Sequence, residues 1–439
     1  MKAKKKTVIA FERIATDGIY TDLAKNVFPD ANVITISNFR GIGDIWTGDY
    51  IYDGKNEAIS VEFLQYKEDI IQRCRFLRSI DSNLAFSLAL RFWNAMMRLF
   101  DSKDISAVFQ PMIDEYTLDI MERVASLHKV PVVSFVGHFF GNYFRVTSRG
   151  ELNNLRESIE EKEINAVYSK VLEPVFKPSF ERMKEKSQFQ ILIIYFRRKL
   201  IEDVYYPLMK IIEHDPLNYH YNTCVLKGSG FNYVSSGRYK KFSSLEEIRK
   251  LKRETMVYLP LHMIPEATTD YWCDDWRMTR YEEGILSLLD RSDPRINFIV
   301  KEHPSMDGWR NPSFYSELSG CENVYLMKPH ENSNQILDLV DNVAVHTGSV
   351  GVEALMRGKR VFCLTQNYYS DLHPAAIHVS ALTLDQLIDP VPKYDSYIFI
   401  EDLLKGLYPG VWVPNKKCRE SSFEALVAAS KLYLNNFDK

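Results

Sequence analysis

The feature that most constrains this chain is a rhythm. Short β-rich runs alternate with stretches of helical periodicity, and the alternation occurs twice. The first set of runs is Val8–Glu12 (VIAFE), Asn32–Ser37 (NVITIS), Ala107–Gln110 (AVFQ) and Pro131–Gly137 (PVVSFVG). Between the last two, Leu118, Met121, Val124 and Ala125 recur at helical spacing within Tyr116–His128. Strand, helix and strand with short joints form a βαβ unit, which implies a parallel sheet. The rhythm restarts with Met256–His262, Asn297–Lys301, Asn323–Met327, Val343–His346 and Arg360–Leu364. Tyr281–Leu289, Asn334–Asp341 and Val350–Arg357 read as the helices between them.

The expected fold is therefore α/β, with two Rossmann-like domains facing a central cleft. An N-terminal domain is expected over residues 1–240, carrying a helical insertion at about 151–213 where Glu, Lys and Arg are dense. A second α/β domain covers 241–400. Residues 401–439 form a helical segment, with an amphipathic helix at Ser421–Asn436, packing back on the first domain. The Gly/Ser-rich stretch Leu226–Lys241 suits a linker. A chain of 439 residues, 46% hydrophobic, has room for such cores, which excludes global disorder. A formal net charge of -3 argues against a nucleic-acid partner held by bulk charge. Six scattered Cys without a CxxC pair argue against a disulfide scaffold or zinc ribbon and point to a reducing cytoplasm.

Neither a signal segment nor a membrane span is expected. The apolar run after MKAKKK is about five residues, too short for a signal h-region. The nearest thing to a span is Phe189–Phe196 (FQILIIYF), followed by Arg197, Arg198 and Lys199. It reads as a buried helix end with a basic turn; the sharper reading is a peripheral contact with anionic lipid at the inner membrane.

In open α/β sheets, ligands sit beyond the carboxyl ends of the strands. Three polar clusters of the second domain fall there: His262 to Glu266 after the first strand, Glu302-His303-Pro304 after the second, and Thr347-Gly348-Ser349 followed by Glu353 after the fourth. Gly348 and Gly351 permit close backbone approach to a ligand. Thr347 and Ser349 offer hydroxyls beside a helix start, a place that suits phosphate. Glu353 suits a ribose hydroxyl pair. A plain capped helix start explains the same turn, and a structural role explains His262, Glu266 or His303 taken singly. The coincidence of three clusters at one edge favours a site. No Asp-x-Asp pair, GxxxxGK[ST], GxSxG or HExxH occurs, so metal-chelated diphosphate, P-loop, α/β-hydrolase and zincin chemistry lack their motifs.

The ordered set PLHMIPEATT, KEHP and VAVHTGSVGVEALMRGKRVFCL resembles the bacterial capsule polysaccharide biosynthesis family, the Kdo-transferase-like GT-B glycosyltransferases, over about Met256–Leu364. That resemblance implies transfer of a sugar from a nucleotide donor, a CMP-activated Kdo or other nonulosonic acid, to a glycan or lipid-linked acceptor. It implies that His303 and Pro304 contact the nucleotide, that Thr347, Gly348 and Ser349 cradle phosphate, that Glu353 holds ribose, and that His262 and Glu266 line the donor pocket. Neither cofactor nor metal is expected.

Such chemistry needs a base for the acceptor hydroxyl. Candidates follow strands of the first domain: Glu115 and Asp114 foremost, then His138, with Asp17 also placed after a strand. Two competing readings stand beside transfer: a nucleotide-sugar 2-epimerase on the same fold, and a non-catalytic scaffold for capsule assembly.

Overall fold

The computed structural model describes residues 6–52, 58–173, 188–212, 242–306, 310–413 and 416–437. The stretch Leu226–Lys241 lies outside the described residues. The chain divides into two compact units. One comprises Met1–Ser158, Val204–Val225 and Leu404–Lys439, the other Ile159–Asp203 and Leu226–Leu403.

The first unit is built on β1 (Thr7–Glu12), β2 (Asn32–Ser37), β3 (Ile45–Trp46), β4 (Ile105–Phe109), β5 (Val132–Gly137), β6 (Tyr143–Thr147) and β13 (Tyr408–Pro409). Their order in the sheet is β13-β6-β5-β4-β1-β2-β3. β1 to β5 run parallel; β6 and β13 add antiparallel edges. All six residues of β1 are buried, as a central parallel strand covered on both faces requires. Val8, Ala10, Phe109, Val133 and Phe135 meet Ile19, Tyr20 and Leu23 of the helix Ile19–Val27 in one core. The C-terminal helix Lys416–Phe437 inserts Leu426, Ala429 and Tyr433 into the same core.

The second unit is a fully parallel six-stranded sheet of β7 (Met256–Pro260), β8 (Asn297–Lys301), β9 (Val324–Met327), β10 (Asn342–Val345), β11 (Arg360–Cys363) and β12 (Ala376–His378). The order is β12-β11-β10-β7-β8-β9. Its core joins Val257, Leu259, Phe298, Val300, Ala344 and Phe362 of the strands to Ile285, Leu288 and Leu318 of the helices Tyr281–Arg291 and Pro312–Gly320. In both sheets chain order runs outward from the first strand, then reverses to the other side at the fourth. This is the doubly wound, Rossmann-type order of GT-B-like folds.

A helical run of a different kind spans Gln188–Leu200, a π turn at Ile201–Tyr205, and Tyr206–Ile212. Pro207 supplies the reason for the wider turn. It has no N–H to donate four residues back, and its ring presses on the preceding turn. The expected burial of Phe189–Phe196 does not hold: Phe189 is 70% and Phe196 62% exposed.

The docking of the C-terminal helix makes a quantitative expectation. Leu426 is fully buried, so Leu426→Ala should cost about 2–5 kcal/mol, the range for emptying a leucine site in a core. Urea unfolding followed by tryptophan fluorescence measures it. A loss below about 0.5 kcal/mol, the scale of a surface change, would mean that the helix is not part of this core.

Candidate functional site

In the second unit the reversal of chain order lies between β7 and β10, with β8 on the far side of β7. A doubly wound sheet opens a crevice at such a point, because the connections leave its two central strands in opposite directions. The three polar clusters project from these three neighbouring strands. His262 follows β7, Glu302 and His303 follow β8, and His346 and Thr347 follow β10.

The clusters meet in space. Thr347 Oγ1 lies 2.7 Å from His262 Nε2, bridging the reversal point directly. His262 Nδ1 is 3.4 Å from Glu266 Oε2, and Thr268 Oγ1 donates to the same carboxylate oxygen at 2.9 Å. A carboxylate beside Nδ1 favours the proton there, leaving Nε2 to accept from the Thr347 hydroxyl. On the β8 side, His303 Nδ1 accepts from the Ser305 backbone N–H at 3.1 Å. Pro304 begins a short 3₁₀ turn, Pro304–Met306.

A buried ion pair fixes these loops. Arg310 donates from Nε to Glu302 Oε2 at 2.6 Å and from Nη2 to Glu302 Oε1 at 2.9 Å. Its Nη2 also donates to the His262 carbonyl at 2.5 Å. Tyr315 donates its hydroxyl to Glu302 Oε2 at 2.5 Å, and the His303 N–H donates to Oε1 at 2.7 Å. The His262 N–H donates to the Tyr281 hydroxyl oxygen at 2.8 Å. The guanidinium lies over the rings of Tyr281 and Phe314, 5.5 Å from each centroid. Arg310 and the pairing role of Glu302 were invisible in the sequence, where Glu302 reads only as the neighbour of a histidine.

Burial sets the charge of the site. Desolvation holds the His262 imidazolium down at about 4, with the Arg310 charge acting in the same direction. Desolvation and the proximity of His262 bring His303 to about 4. His346 was not singled out from sequence, yet it is buried, 5.3 Å from the Tyr281 ring and 6.3 Å from the His262 ring. Neither of its ring nitrogens has a hydrogen-bond partner of ordinary geometry, and burial lowers it to about 3, against a backbone contribution from Met278. Unpartnered buried polar atoms are rare. Three neutral imidazoles thus surround the reversal point at pH 7.

The glycine-rich turn departs from expectation in one respect. Gly351 does not leave room for a ligand: a Cβ there would lie 2.0 Å from the Tyr369 hydroxyl, which donates to the Gly348 carbonyl at 2.9 Å. Gly351 exists for Tyr369. Gly348 is the open position, where the nearest atom to an added Cβ is His262 Nε2 at 3.9 Å. Ser349 precedes the helix Val350–Met356 in helical backbone geometry and makes no side-chain capping bond, so the capped-start explanation does not describe it. Glu353 sits buried in the first turn of that helix.

In the first unit, considered alone, the expected acids also lie at a reversal point. Arg13, after β1, donates to both oxygens of Asp114 at 2.9 and 2.5 Å and to Glu115 Oε1 at 2.6 Å, after β4. The Asn38 amide donates to the same Glu115 oxygen. The two carboxylates hold the Arg13 charge far above its ordinary range. His138 is buried beside Phe139 and Phe140, accepts from the Phe140 N–H at 3.3 Å, and is kept well below 6.5 by burial and by Arg145. Asp17 takes a left-handed backbone conformation, φ 49°, next to Gly18.

Among the described residues no group of three or more His, Cys, Asp or Glu side chains is placed to hold a metal ion. Among them, too, no helix is long and apolar enough to cross a membrane.

Residues 210–372 match the family described as capsule polysaccharide biosynthesis protein. No curated protein matches the chain. Among solved structures, the beta Kdo 2,7 transferase KpsC of Thermosulfurimonas dismutans aligns over 100% of both chains at 12% identity and a TM-score of 0.35. The UDP-GlcNAc 2-epimerase of Methanocaldococcus jannaschii aligns over 91% of this chain and 98% of its own, at 11% identity and a TM-score of 0.26. The UDP-GlcNAc 2-epimerase of Neisseria meningitidis aligns over 98% and 99%, at 11% and 0.25. At such scores and identities the likeness carries nothing about substrate or mechanism.

Two expectations follow from this geometry. Gly351→Ala should destabilise the protein by about 1–3 kcal/mol, the cost of overpacking, while Gly348→Ala should stay within about 0.5 kcal/mol of the parent; chemical denaturation compares them. The histidines make the second. An unfolded histidine titrates near about 6.5, so between there and the depressed folded values the unfolded chain binds protons that the folded one does not. Stability should therefore fall as pH drops through that window. Imidazole NMR titration should place the midpoints of His262 and His303 near 4; ordinary midpoints would contradict the buried, neutral cluster.

Proposed function

We propose that this chain, which matches the capsule polysaccharide biosynthesis family over residues 210–372, is a glycosyltransferase. It moves a sugar from a nucleotide donor to a surface-glycan or lipid-linked saccharide acceptor. The donor we propose is a CMP-activated Kdo or other nonulosonic acid. The observation that carries the reading is the contact of His262 with Thr347 across the reversal point, beside the open Gly348.

In this reading Thr347, Gly348 and Ser349 receive the donor phosphate, and His262 and His303 face it. Pro304 and Glu266 shape the surrounding wall, and Glu353 serves the ribose. Neutral imidazoles suit the resting site, because an empty pocket of buried cations would repel itself. When the bond between the anomeric carbon and the phosphate oxygen breaks, negative charge grows on the phosphate. In this reading the Ser349 hydroxyl and the His303 Nε2–H stabilise that charge directly, and Thr347 and His262 join them by exchanging their mutual hydrogen bond for the phosphate. The reaction we propose proceeds without a metal ion.

The acceptor hydroxyl must lose its proton as it attacks the anomeric carbon. For that base we propose Glu115, with Asp114 as its partner on Arg13 and His138 third. A carboxylate held by an arginine fork is fixed in orientation. We propose that the chain acts in the cytoplasm.

A thermal-shift screen against CMP, UDP, GDP and TDP, with and without EDTA, tests the donor site. At about 100 times its Kd a ligand adds roughly 2.7 kcal/mol of stability. The expected result is a shift with CMP that EDTA does not alter. A shift confined to UDP, with turnover of UDP-GlcNAc in the absence of acceptor, would replace transfer by epimerisation. No shift with any nucleotide would remove the phosphate cradle and leave the scaffold reading. With an active donor–acceptor pair, His303→Ala should lower kcat by about 10²–10³-fold, the scale of one lost oxyanion donor, with the fold intact.

A further inference from the structure

Asn38 stands directly after β2 and is fully buried. Its side chain reaches past the end of β1 to the residues that follow β4. Nδ2 donates to Glu115 Oε1, and to Thr117 Oγ1 at 3.2 Å. Oδ1 accepts from Thr47 Oγ1 at 3.0 Å, and the Asn38 carbonyl accepts from the Trp46 indole N–H at 3.1 Å. Thr47 and Thr117 are fully buried as well. The chain after β2, the chain after β3 and the start of the helix Tyr116–Leu127 therefore meet on one amide.

Chemistry allows that amide one orientation. An ionised carboxylate only accepts hydrogen bonds, so the NH2 group must face Glu115. Turning the amide over would set its carbonyl oxygen against a carboxylate oxygen. Arg13 Nη2 donates to the same Glu115 oxygen at 2.6 Å, but the two donors contribute differently. The Arg13 side chain is 21% exposed and divides its guanidinium between Asp114 and Glu115. A long side chain with that freedom supplies charge and constrains direction weakly. Asn38 has a short side chain whose donor and acceptor ends are both held by buried partners, so it constrains direction strongly and adds no charge.

We propose that Asn38 is a positioning residue for Glu115: its amide aims the carboxylate at the acceptor hydroxyl, while Arg13 balances the carboxylate charge. The inference rests on the reading of Glu115 as the base. Aspartate has the same shape, yet it could not take this part, because it would bring a further negative charge to Glu115 in place of a donor.

Asn38→Asp tests it in the full chain. The new carboxylate joins Arg13 and Asp114 around Glu115, and like charges in contact cannot both ionise, so the Glu115 titration midpoint should rise by about one pH unit or more. Carboxyl ¹³C NMR reads that midpoint without any substrate, the Glu115 signal being the one lost in Glu115→Gln. With an active donor–acceptor pair, the acid limb of kcat/KM should move up by the same amount. Asn38→Ala should lower kcat by about 10²-fold with the donor KM unchanged, the scale of a misplaced reacting group. Should neither variant fold, Thr47→Val, which removes the hydroxyl holding the amide, should lower kcat about tenfold at unchanged donor KM. An asparagine that only supports the fold would cost stability and leave both the midpoint and the pH profile where they stand in the parent. That result overturns the proposal while Glu115 keeps its role. A Glu115→Gln chain that transfers at the parent rate takes the base away from Glu115, and the proposal falls with it.

Discussion

The guanidinium of Arg310 is the contact on which the candidate site depends. It is fully buried, paired to a buried carboxylate, and bonded to the backbone of the neighbouring loop. Arginine alone has a planar fork of donors that can meet Glu302 with two parallel bonds, reach the His262 carbonyl, and still lie against aromatic rings. One side chain thereby ties the end of β7 to the end of β8. An isolated buried charge costs several kcal/mol, so neither partner is tolerable without the other. The rigidity that follows lets three imidazoles remain buried and neutral instead of relaxing toward water.

The two units apply one topological device to different chemistry. In each sheet the residues after the first and fourth strands converge, because chain order reverses between those strands. In the second unit the convergence joins an imidazole to a hydroxyl; in the first it joins Arg13 to Asp114 and Glu115. The first pairing is neutral and leaves Gly348 open, which suits an incoming anion. The second is an ion pair with its polar groups already engaged, which suits holding a carboxylate in place.

Much of the fold was legible because central parallel strands are buried on both faces and read as short apolar runs. β2 and β8 fall on the expected residues, and the other central strands within two. What escaped has physical reasons. β3 and β13 are two residues long, too short for any periodicity, and β6 pairs antiparallel with β5 through the Gly141-Asn142 turn, which a reading tuned to parallel βαβ units passed over. The helices Val61–Arg73 and Ser82–Ser102 fill an interval in which no element was expected. At the site, position after a strand was enough to find His262, His303 and Thr347. Arg310 was hidden because its importance comes from a partner eight residues away across a loop, and His346 because it falls on the last position of an expected strand. Gly351 was misassigned: the atom that fills its missing side chain belongs to Tyr369, eighteen residues on, and no local pattern announces it.

The central claim is that the imidazoles at the second unit's reversal point face a nucleotide phosphate. Long-range ¹H–¹⁵N spectra of the histidine rings, recorded during a titration with CMP, test it most directly. The account predicts that His262 and His303 shift together, saturably, and that protons are taken up as a phosphate anion draws the rings toward their charged form. Movement confined to histidines elsewhere in the chain, with these two unchanged at saturation, would contradict it.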